Sequence, residues 1–386
     1  MTTIEDPSTQ LDELLDKMAE GLQLDDTRYD RMKSAYRAVH EFVLEDPFFK
    51  SLVKETYPQG SVKTETANKP YEGNEFDLDT IIQLRPDAGR FGPQEIRKQL
   101  ERRLREPGSR YRNSLISKSR CVRIKYAGDF HMDVLAASQR NNSCPNTVLV
   151  LNKEMQNVDI SNPRGHADWF IQQANSVVES LLEKADRKRA IEIERLPNDN
   201  FRRKKPLQRA VQLLKRYRDI YFSNDDTFKT SSVILTTIAG QYHRGEPSIF
   251  DTMDGIVGRI VSNANFYQSI PGQRIKVLNP VNQLEDFTSK WDTQPEYYNA
   301  FIDFASHLNN EWQKFKLQQG VLTESRILKG LFGEDIYNDA TSAAMSQISN
   351  ARASKSLYQI PASGILTSQP VSRSIIKPNT FFGDNA

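Results

Sequence analysis

The sequence FDLDTIIQL, residues Phe76–Leu84, decides the fold, because it combines an apolar strand with two carboxylates. Successive side chains of a strand point to opposite faces, so Asp77 and Asp79 share a face while Leu78 points into the core. A carboxylate in a buried strand is costly unless a cation or hydrogen-bond donors compensate its charge. The stretch therefore predicts a central strand that presents two acidic ligands on one face.

A third acidic residue and a small turn extend this pattern. The run His131-Met132-Asp133-Val134 places an acid in a second apolar strand, and Gln59-Gly60-Ser61 forms a turn upstream. Glycine lets the backbone approach phosphate closely, and backbone N–H groups at a following helix start bind anions. Acids from two neighbouring strands can hold two divalent metal ions against a nucleoside triphosphate. The sequence therefore predicts Asp77, Asp79 and Asp133 as catalytic metal ligands, and nucleotidyl transfer as the reaction.

A second interpretation of the acidic pair is the solvated face of an amphipathic strand. Paired acids are common in a chain of this size, as Asp225-Asp226 shows. The apolar neighbours Phe76, Leu78 and Ile81 favour a buried strand instead, where carboxylates require a metal or a donor. The recurrence of the pattern at Asp133 favours the metal site further.

Composition narrows the class of protein. The 386 residues are 38% hydrophobic and 26% charged, which is typical of a soluble globular chain with two or three domains. A net charge of +2 gives no global field for nucleic acid or an anionic membrane. The two cysteines, Cys121 and Cys144, lack the spacing of a zinc site or a disulfide framework. We expect a cytoplasmic protein, because the sequence shows neither a signal peptide nor about 18 consecutive apolar residues.

Periodicity predicts an α+β fold that becomes mostly helical after about residue 200. Two helices are expected within Leu11–Lys54, the second at Asp26–Glu45, and a basic amphipathic helix at Gln94–Arg105. Further strands are predicted at Cys121–Tyr126, Phe130–Ala136 and Thr147–Asn152, and further helices at Trp169–Ile193, Leu207–Phe222, Thr230–His243, Phe250–Tyr267 and Pro295–Phe315. The chain thus divides into N-terminal helices that pack on the core (residues 1–55), a nucleotidyltransferase core (56–200), a helical domain (201–350) and a flexible tail (351–386).

These motifs, in this order, resemble the DNA polymerase β-type nucleotidyltransferase superfamily. The helix after Pro206, followed by Lys229-Thr230-Ser231-Ser232 at the next helix start, is similar to the helical domain of oligoadenylate synthase and cyclic GMP-AMP synthase. Leu278-Asn279-Pro280 and the following Lys290-Trp291 resemble that family's turn and short helix. Over about residues 30 to 330 the chain most resembles the bacterial CD-NTases, which make cyclic oligonucleotide signals in anti-phage defence. The resemblance implies a polymerase β-like core with a mostly helical C-terminal domain.

The resemblance also implies roles for the acids and for the Gln59–Ser61 turn. Asp77, Asp79 and Asp133 would hold two ions of Mg²⁺ or Mn²⁺, and Asp133 would help to deprotonate the attacking ribose hydroxyl. The turn would bind the nucleotide, with Gly60 and Ser61 at its β- and γ-phosphates. Thr66–Asn74 lengthens the gap to the acids, so we expect a small insertion beside the pocket.

Lys215 and Ser232 complete the implied nucleotide site. Lys215 resembles the lysine that reaches the triphosphate, and Ser232 resembles a serine that contacts phosphate. From the residues alone, Lys215 could lie on the solvated face of a basic helix, and Ser232 could be an ordinary residue at a helix start.

The implied enzyme is template-independent and joins nucleoside triphosphates, ATP and GTP among them, into a cyclic di- or trinucleotide. Two alternatives stay open: a transferase of the same fold that adds nucleotides to RNA or protein, and a nucleotide-binding protein without turnover. The near-neutral charge disfavours a polymer acceptor, and the presence of all three acids disfavours a lost activity. Base preference, ring size and the 2′–5′ or 3′–5′ linkage are fixed by no motif.

Two features bear on partners, each with a plain alternative. The basic runs Arg97–Arg105 and Arg202–Lys205 could bind an RNA activator or form solvated helix faces. The tail that ends Phe381–Ala386 could be gripped by a ubiquitin-like ligase, as in some bacterial relatives, or be an end of no consequence. The chain lacks the cysteines of the zinc ribbon in the family's animal DNA sensor, so activation through that device is excluded. We expect a monomer that contacts no membrane.

Overall fold

Two large hydrophobic cores organise the chain, one around a mixed sheet and one among helices. The computed structural model describes residues 7–73, 75–126, 130–151, 157–176, 204–317, 320–354, 358–359, 366–367 and 374–375.

Seven strands form the sheet that carries the acids. They are β1 (Val53–Gln59), β2 (Phe76–Leu84), β3 (Leu115–Ser117), β4 (Val122–Tyr126), β5 (Phe130–Gln139), β6 (Val148–Leu151) and β7 (Val158–Ser161). Their order is β1-β2-β5-β4-β3, with β6 paired to the last residues of β5 and β7 paired to β6. β2 and β5 run parallel, whereas the other neighbours pair antiparallel. The two predicted acidic strands are therefore adjacent.

Two helices cover the face of the sheet that Leu78 and Ile82 occupy. α2 (Asp26–Leu44) and α5 (Gly92–Arg105) bury their apolar residues in the same core as these two side chains. Asp25 caps α2 by accepting a hydrogen bond from the backbone N–H of Arg28, which satisfies one free donor of the first turn. Both helices confirm the predicted elements, and they leave the opposite face of β2 to the acids.

The second core lies in a helical unit. Its helices are α6 (Pro163–Asn175), α7 (Pro206–Tyr221), α8 (Ser232–Tyr242), α9 (Ile249–Gln268), α10 (Lys290–Thr293), α11 (Glu296–Lys316), α12 (Val321–Phe332) and α13 (Glu334–Ala353). A hairpin of β8 (Leu278–Asn279) and β9 (Asn282–Asp286) lies beside β7. Large aromatic side chains, Tyr217, Phe304 and Trp312, are fully buried in this unit. Pro206 begins α7, in the first-turn position where a proline costs no hydrogen bond.

The first helix departs from the prediction that the N-terminal helices pack on the nucleotidyltransferase core. α1 (Pro7–Gly21) packs on the helical unit, chiefly on α13, α9 and α7. Its apolar residues Leu15, Met18 and Ala19 are fully buried there, as is Leu22 directly after the helix. The physical reason is that α2 already covers the sheet, so these residues of α1 find their apolar partner surface on the helical unit.

Other boundaries differ from the predicted ones. The predicted helix Trp169–Ile193 begins earlier, at Pro163, because Asn162 caps it by accepting from the N–H of Gly165. Its second half lies outside the described residues. The short helices α3 (Pro47–Lys50) and α4 (Gly60–Lys63), the strands β1 and β7, and the helices α12 and α13 were not predicted.

The predicted tail, residues 351–386, begins within α13, which ends at Ala353, and further on its described residues form three short strands. β10 (Tyr358–Gln359) pairs with β11 (Leu366–Thr367) on one side and with β12 (Ser374–Ile375) on the other. The polar composition predicted a flexible tail and did not predict this strand pairing. None of the described helices combines the length and apolar character that crossing a membrane requires.

Candidate active site

The register of the sheet brings the three predicted acids together. In the parallel pair of β2 and β5, Asp79 lies opposite Asp133 and Asp77 lies opposite His131. The neighbours Leu78 and Met132 point into the core below, so the acids share the other face. Asp79 therefore does not lie on a merely solvated face, because it is half-buried at the floor of a cleft, whereas Asp77 is exposed at the mouth of the same cleft.

The Gln59–Ser61 turn is held directly against Asp79. Gln59 pairs with Asp79 in the antiparallel register of β1 and β2, and Gly60 begins the single turn of α4. Gly60 has a φ of +61°, in the left-handed region that favours glycine. Ser61 lines the cleft next to the acids.

The pKa of Asp79 is raised by its burial and by the two acids close to it. Burial raises the pKa of Asp79 to about 7, and the negative charges of Asp77 and Asp133 add to the effect. Arg123 and His131 oppose this rise without cancelling it. A carboxyl group with these neighbours gains most from a cation that faces all three acids at once.

Two basic side chains accompany the acids. Arg123, opposite Asp133 in the pairing of β4 with β5, donates from Nε and Nη2 to the two carboxylate oxygens at 2.7 and 2.8 Å. His131 contacts Asp77 through Nε2, and its Nδ1 lies 3.0 Å from Oε2 of Glu75. Burial lowers the pKa of His131, but the two carboxylates outweigh burial and leave that pKa raised.

The donor set fits a divalent metal ion, although the side chains do not converge on one point. Among the described residues, no three His, Cys, Asp or Glu side chains meet in an arrangement that already forms a metal site. Asp77 turns towards His131 and Asp133 turns towards Arg123. Three carboxylates on one face supply the all-oxygen ligands that Mg²⁺ and Mn²⁺ prefer, and the crowded charge at Asp79 is what a cation would relieve.

Lys215 is not on a solvated helix face. It lies on α7, is buried, and donates from Nζ to the hydroxyl of Thr66 at 2.7 Å and to the carbonyl of Thr66 at 3.2 Å. Burial lowers the pKa of Lys215 to about 7, with the positive charge of Arg218 contributing next. The amine faces the cleft beside Ser61, so it can meet a triphosphate there.

The first residues of the segment predicted as an insertion, Thr66–Asn74, belong to a strap between the two units. We call Thr64–Lys69 the strap, because side chains of α7 bind its backbone along its whole length. The carbonyls of Thr64, Thr66, Ala67 and Lys69 accept hydrogen bonds from Gln208, Lys215, Gln212 and Arg216, at distances of 2.8 to 3.4 Å. At its end, the N–H of Lys69 donates to the carbonyl of Leu22 at 2.7 Å. The strap thus fixes Lys215 relative to the acids.

Ser232 begins α8 at the opposite wall of the cleft. Its hydroxyl contacts Arg218, which also donates to Asp219, and Lys229 lies 2.9 Å from the same Asp219 carboxylate. These basic side chains line the cleft next to Lys215. The structure therefore places every predicted site residue around one cleft.

The cleft has two connected parts. The outer cavity, of about 1090 Å³, is lined by polar and charged side chains, and the inner cavity, of about 360 Å³, continues past the acids. Ser61, Asp77, Lys215 and Ser232 line both. Apolar side chains, Leu135, Val233 and Phe287, line the inner cavity. Together the two cavities exceed the roughly 300–1,000 Å³ that a single drug-sized ligand occupies.

Sequence reasoning missed several residues of this site, namely Arg123, Glu75, Arg218 and Thr66. Arg123 sits in a strand whose alternation points it to the same side as Asp133, but only the pairing of β4 with β5 shows that they meet. The contact of Thr66 with Lys215 joins residues 149 positions apart, which local patterns do not reveal.

Comparison with known proteins agrees with this geometry. Residues 9–175 match the family model of the Second Messenger Oligonucleotide or Dinucleotide Synthetase domain. A c-di-GMP synthase from Roseivirga ehrenbergii is 38% identical over 97% of this chain and 98% of its own length. The cyclic dinucleotide synthase CdnG of Bradyrhizobium diazoefficiens is 25% identical over 78% of this chain and 74% of its own length.

The solved structure of the Bradyrhizobium CD-NTase CdnG in complex with GTP has the same fold. It covers 87% of this chain and 99% of its own, with a TM-score of 0.68 and 20% sequence identity. The acids, the turn and the helical unit thus occur in a chain that aligns with a curated synthase from end to end. The chain belongs to the bacterial CD-NTase family, nucleotidyltransferases that synthesise cyclic oligonucleotides.

Proposed function

We propose that this enzyme joins two molecules of GTP into cyclic di-GMP, with two ions of Mg²⁺ or Mn²⁺ in the cleft. The observation that carries the proposal is the register of Asp79 and Asp133 beside the Gln59–Ser61 turn. GTP is the proposed substrate because the 38% identical relative is a c-di-GMP synthase, and the related CdnG was solved with GTP.

Different parts of the cleft would bind the triphosphate and the base of each nucleotide. The backbone at Gly60, the hydroxyls of Ser61 and Ser232, and the amine of Lys215 surround the space in which a donor triphosphate would lie. The apolar end of the inner cavity would take a guanine base, because flat bases pack against apolar and aromatic side chains such as Phe287. The outer cavity leaves room for the second GTP.

The acids act on the reacting groups. Asp77, Asp79 and Asp133 would hold the two metal ions, which would neutralise charge on the transferring phosphoryl group and on the pyrophosphate that leaves. Asp133 accepts the proton of the attacking ribose hydroxyl as the new phosphodiester bond forms. The linear dinucleotide then presents its own triphosphate in the same cleft, and a second transfer with loss of pyrophosphate closes the ring.

A product assay tests this proposal. Purified protein is incubated with each labelled nucleoside triphosphate, alone and mixed, with Mg²⁺ or Mn²⁺, and the products are then treated with phosphatase. We expect a phosphatase-resistant product with the mass of cyclic di-GMP from GTP alone. Asp79→Asn should abolish it, whereas Asp87→Asn, which changes an exposed acid on the short helix after β2, should not.

The outcomes separate the alternatives. A cyclic product that requires ATP would replace the guanine assignment and keep the reaction. Label that appears only in added RNA would contradict cyclisation and support a polymer acceptor. Three basic side chains of the described parts of these runs have partners within the chain: Arg102 and Arg103 on α5 pair with Asp46 and Glu45, and Lys204 is buried against Gln23. Arg202 and Arg203 lie outside the described residues. We therefore propose that synthesis requires no RNA activator.

The tail and the biological role are also proposals. A ubiquitin-like ligase would act on the end of the chain, Phe381–Ala386, and link the enzyme to another protein, and the signal would serve anti-phage defence. The support is family membership. Mass spectrometry of the enzyme recovered from phage-infected and uninfected cells would detect a linked partner at the last residue. An unmodified terminus under both conditions would contradict the linkage.

A further inference from the structure

Arg123 binds an acid of the cleft through two hydrogen bonds. Its guanidinium binds both oxygens of Asp133 side by side, at 2.7 and 2.8 Å, and its Nη2 lies 3.9 Å from Oδ1 of Asp77. The side chain is only 23% exposed, so solvent screens the pair weakly. A bidentate contact of this kind stabilises the ionised carboxylate and also fixes the direction in which its oxygens point.

This contact opposes the binding of a metal ion. A divalent ion held by all three acids requires Asp133 to turn towards Asp79, whereas Arg123 turns it towards β4. The fixed positive charge of the guanidinium also repels a cation a few ångströms away. The described acids accordingly form no ready-made metal site, although their backbone positions suit one.

Arg123 also stabilises the acids. Asp77, Asp79 and Asp133 carry like charges on adjacent strand positions, and the guanidinium faces two of them. Without that charge the carboxylates would repel one another and Asp133 would lose its fixed direction. The side chain therefore prepares the acids for a cation with which it must then compete.

We propose that Arg123 is a positioning residue that occupies the place of a metal ion at Asp133 and is displaced when the ion binds. The inference rests on the proposed function, because it takes the three acids to be metal ligands. The displaced guanidinium remains at the wall of the outer cavity, where the phosphates of the second nucleotide would meet it. Metal binding and second-nucleotide binding are thereby coupled through one side chain.

Mn²⁺ binding without nucleotide tests the proposal directly. Titrations followed by the electron paramagnetic resonance of free Mn²⁺ would compare the wild type with Arg123→Gln, Arg123→Lys and Lys125→Gln. Lys125 is the matched control, because it lies two residues further along β4 and lines the same cavity. Lys125→Gln removes one positive charge, as Arg123→Gln does. Circular dichroism would establish that each variant is folded.

We expect Arg123→Gln to bind Mn²⁺ more tightly than the wild type by about tenfold or more, which is the scale of one lost charge-assisted contact. Arg123→Lys should be intermediate, since lysine keeps the charge but not the bidentate contact. Lys125→Gln should change the affinity by less than about twofold. A residue with a merely structural role would weaken metal binding when replaced. In steady-state assays of Arg123→Gln, the KM for GTP should rise at saturating Mn²⁺.

Other results would overturn the inference. Equal affinity gains in Arg123→Gln and Lys125→Gln would mean that the loss of any positive charge in the cleft raises the affinity for Mn²⁺, whether or not the side chain contacts Asp133. Weaker Mn²⁺ binding in Arg123→Gln would also contradict displacement. Mn²⁺ binding that Asp79→Asn leaves unchanged would remove the metal site, and the inference with it. A wild type that shows the expected Mn²⁺ pattern but makes no cyclic product would contradict only the proposed function.

Discussion

A β-carbon on Gly60 would lie 2.4 Å from Oδ2 of Asp79, closer than real β-carbons approach any atom. The Gln59–Ser61 turn and the acid at the centre of the cleft therefore approach this closely because residue 60 has no side chain. A second reason also favours glycine at residue 60, because its φ of +61° lies in the left-handed region that other residues rarely adopt.

We expect Gly60→Ala to lower the rate of cyclic product formation by about 100-fold or more, because the new methyl group displaces Asp79 from its position. Backbone strain should also lower the free energy of unfolding by about 1–3 kcal/mol. Steady-state assays and chemical denaturation measure the two effects.

The matched control is Gly108→Ala. Gly108 has a φ of +86°, but an added β-carbon there meets no atom within 4 Å. This variant should show the loss of stability without the loss of activity. Equal loss of activity in both variants would mean that strain, rather than the contact with Asp79, limits catalysis.

The affinity for GTP should fall as the pH rises above about 7, because Lys215, whose pKa is lowered to about 7 by burial, must take up a proton to pair with a triphosphate. Stability without nucleotide should change in the opposite direction. The native chain releases this proton near pH 7 and the unfolded chain near 10.5, so unfolding becomes less favourable between these values.

Calorimetry in buffers of different ionisation enthalpy would measure the proton uptake, and thermal melts would measure the stability. Lys215→Met should abolish the proton uptake attributable to this site and flatten the rise in stability. Unchanged uptake in Lys215→Met would assign the proton to another group.

Asp79→Asn should stabilise the chain when divalent ions are chelated, at about pH 8, where the wild-type carboxyl is ionised above its raised pKa. The gain should be about 1–3 kcal/mol, the usual scale for a buried polar group that lacks compensation. Excess Mg²⁺ should reverse the order, since only the wild type gains a bound ion. Melting curves with chelator and with Mg²⁺ provide the test, and Asp77→Asn, at an exposed position, should gain less. An Asp79→Asn variant that Mg²⁺ stabilises as much as the wild type would contradict the assignment.

A chain that ends at Ser354 should make cyclic product at the wild-type rate. The described tail strands β10, β11 and β12 pair with one another, and every described residue that lines the cleft precedes the tail. Initial rates of GTP consumption for the full and shortened chains measure this. A loss greater than about tenfold would show that the tail supports the catalytic fold, since neutral surface changes rarely have such effects.

The acidic strand could be predicted because its signals are local. Alternation along Phe76–Leu84 separates the acids from the core residues, and the structure confirms that separation. The partners of the acids could not be predicted in this way. Arg123 meets Asp133 only through strand register, and Lys215 is buried against Thr66 of the strap, which crosses to α7. The position of α1 depended on which of two apolar surfaces was already covered.

The strap has a consequence for how the enzyme turns over. Four carbonyls of Thr64–Lys69 are bonded to α7, so separating the sheet from the helical unit would break those bonds together. Opening the cleft so that a linear intermediate can turn would therefore cost the free energy of all four hydrogen bonds. We expect the nucleotide itself to turn within the cleft, whose two cavities meet at Ser61, Asp77, Lys215 and Ser232, while the strap stays bonded to α7.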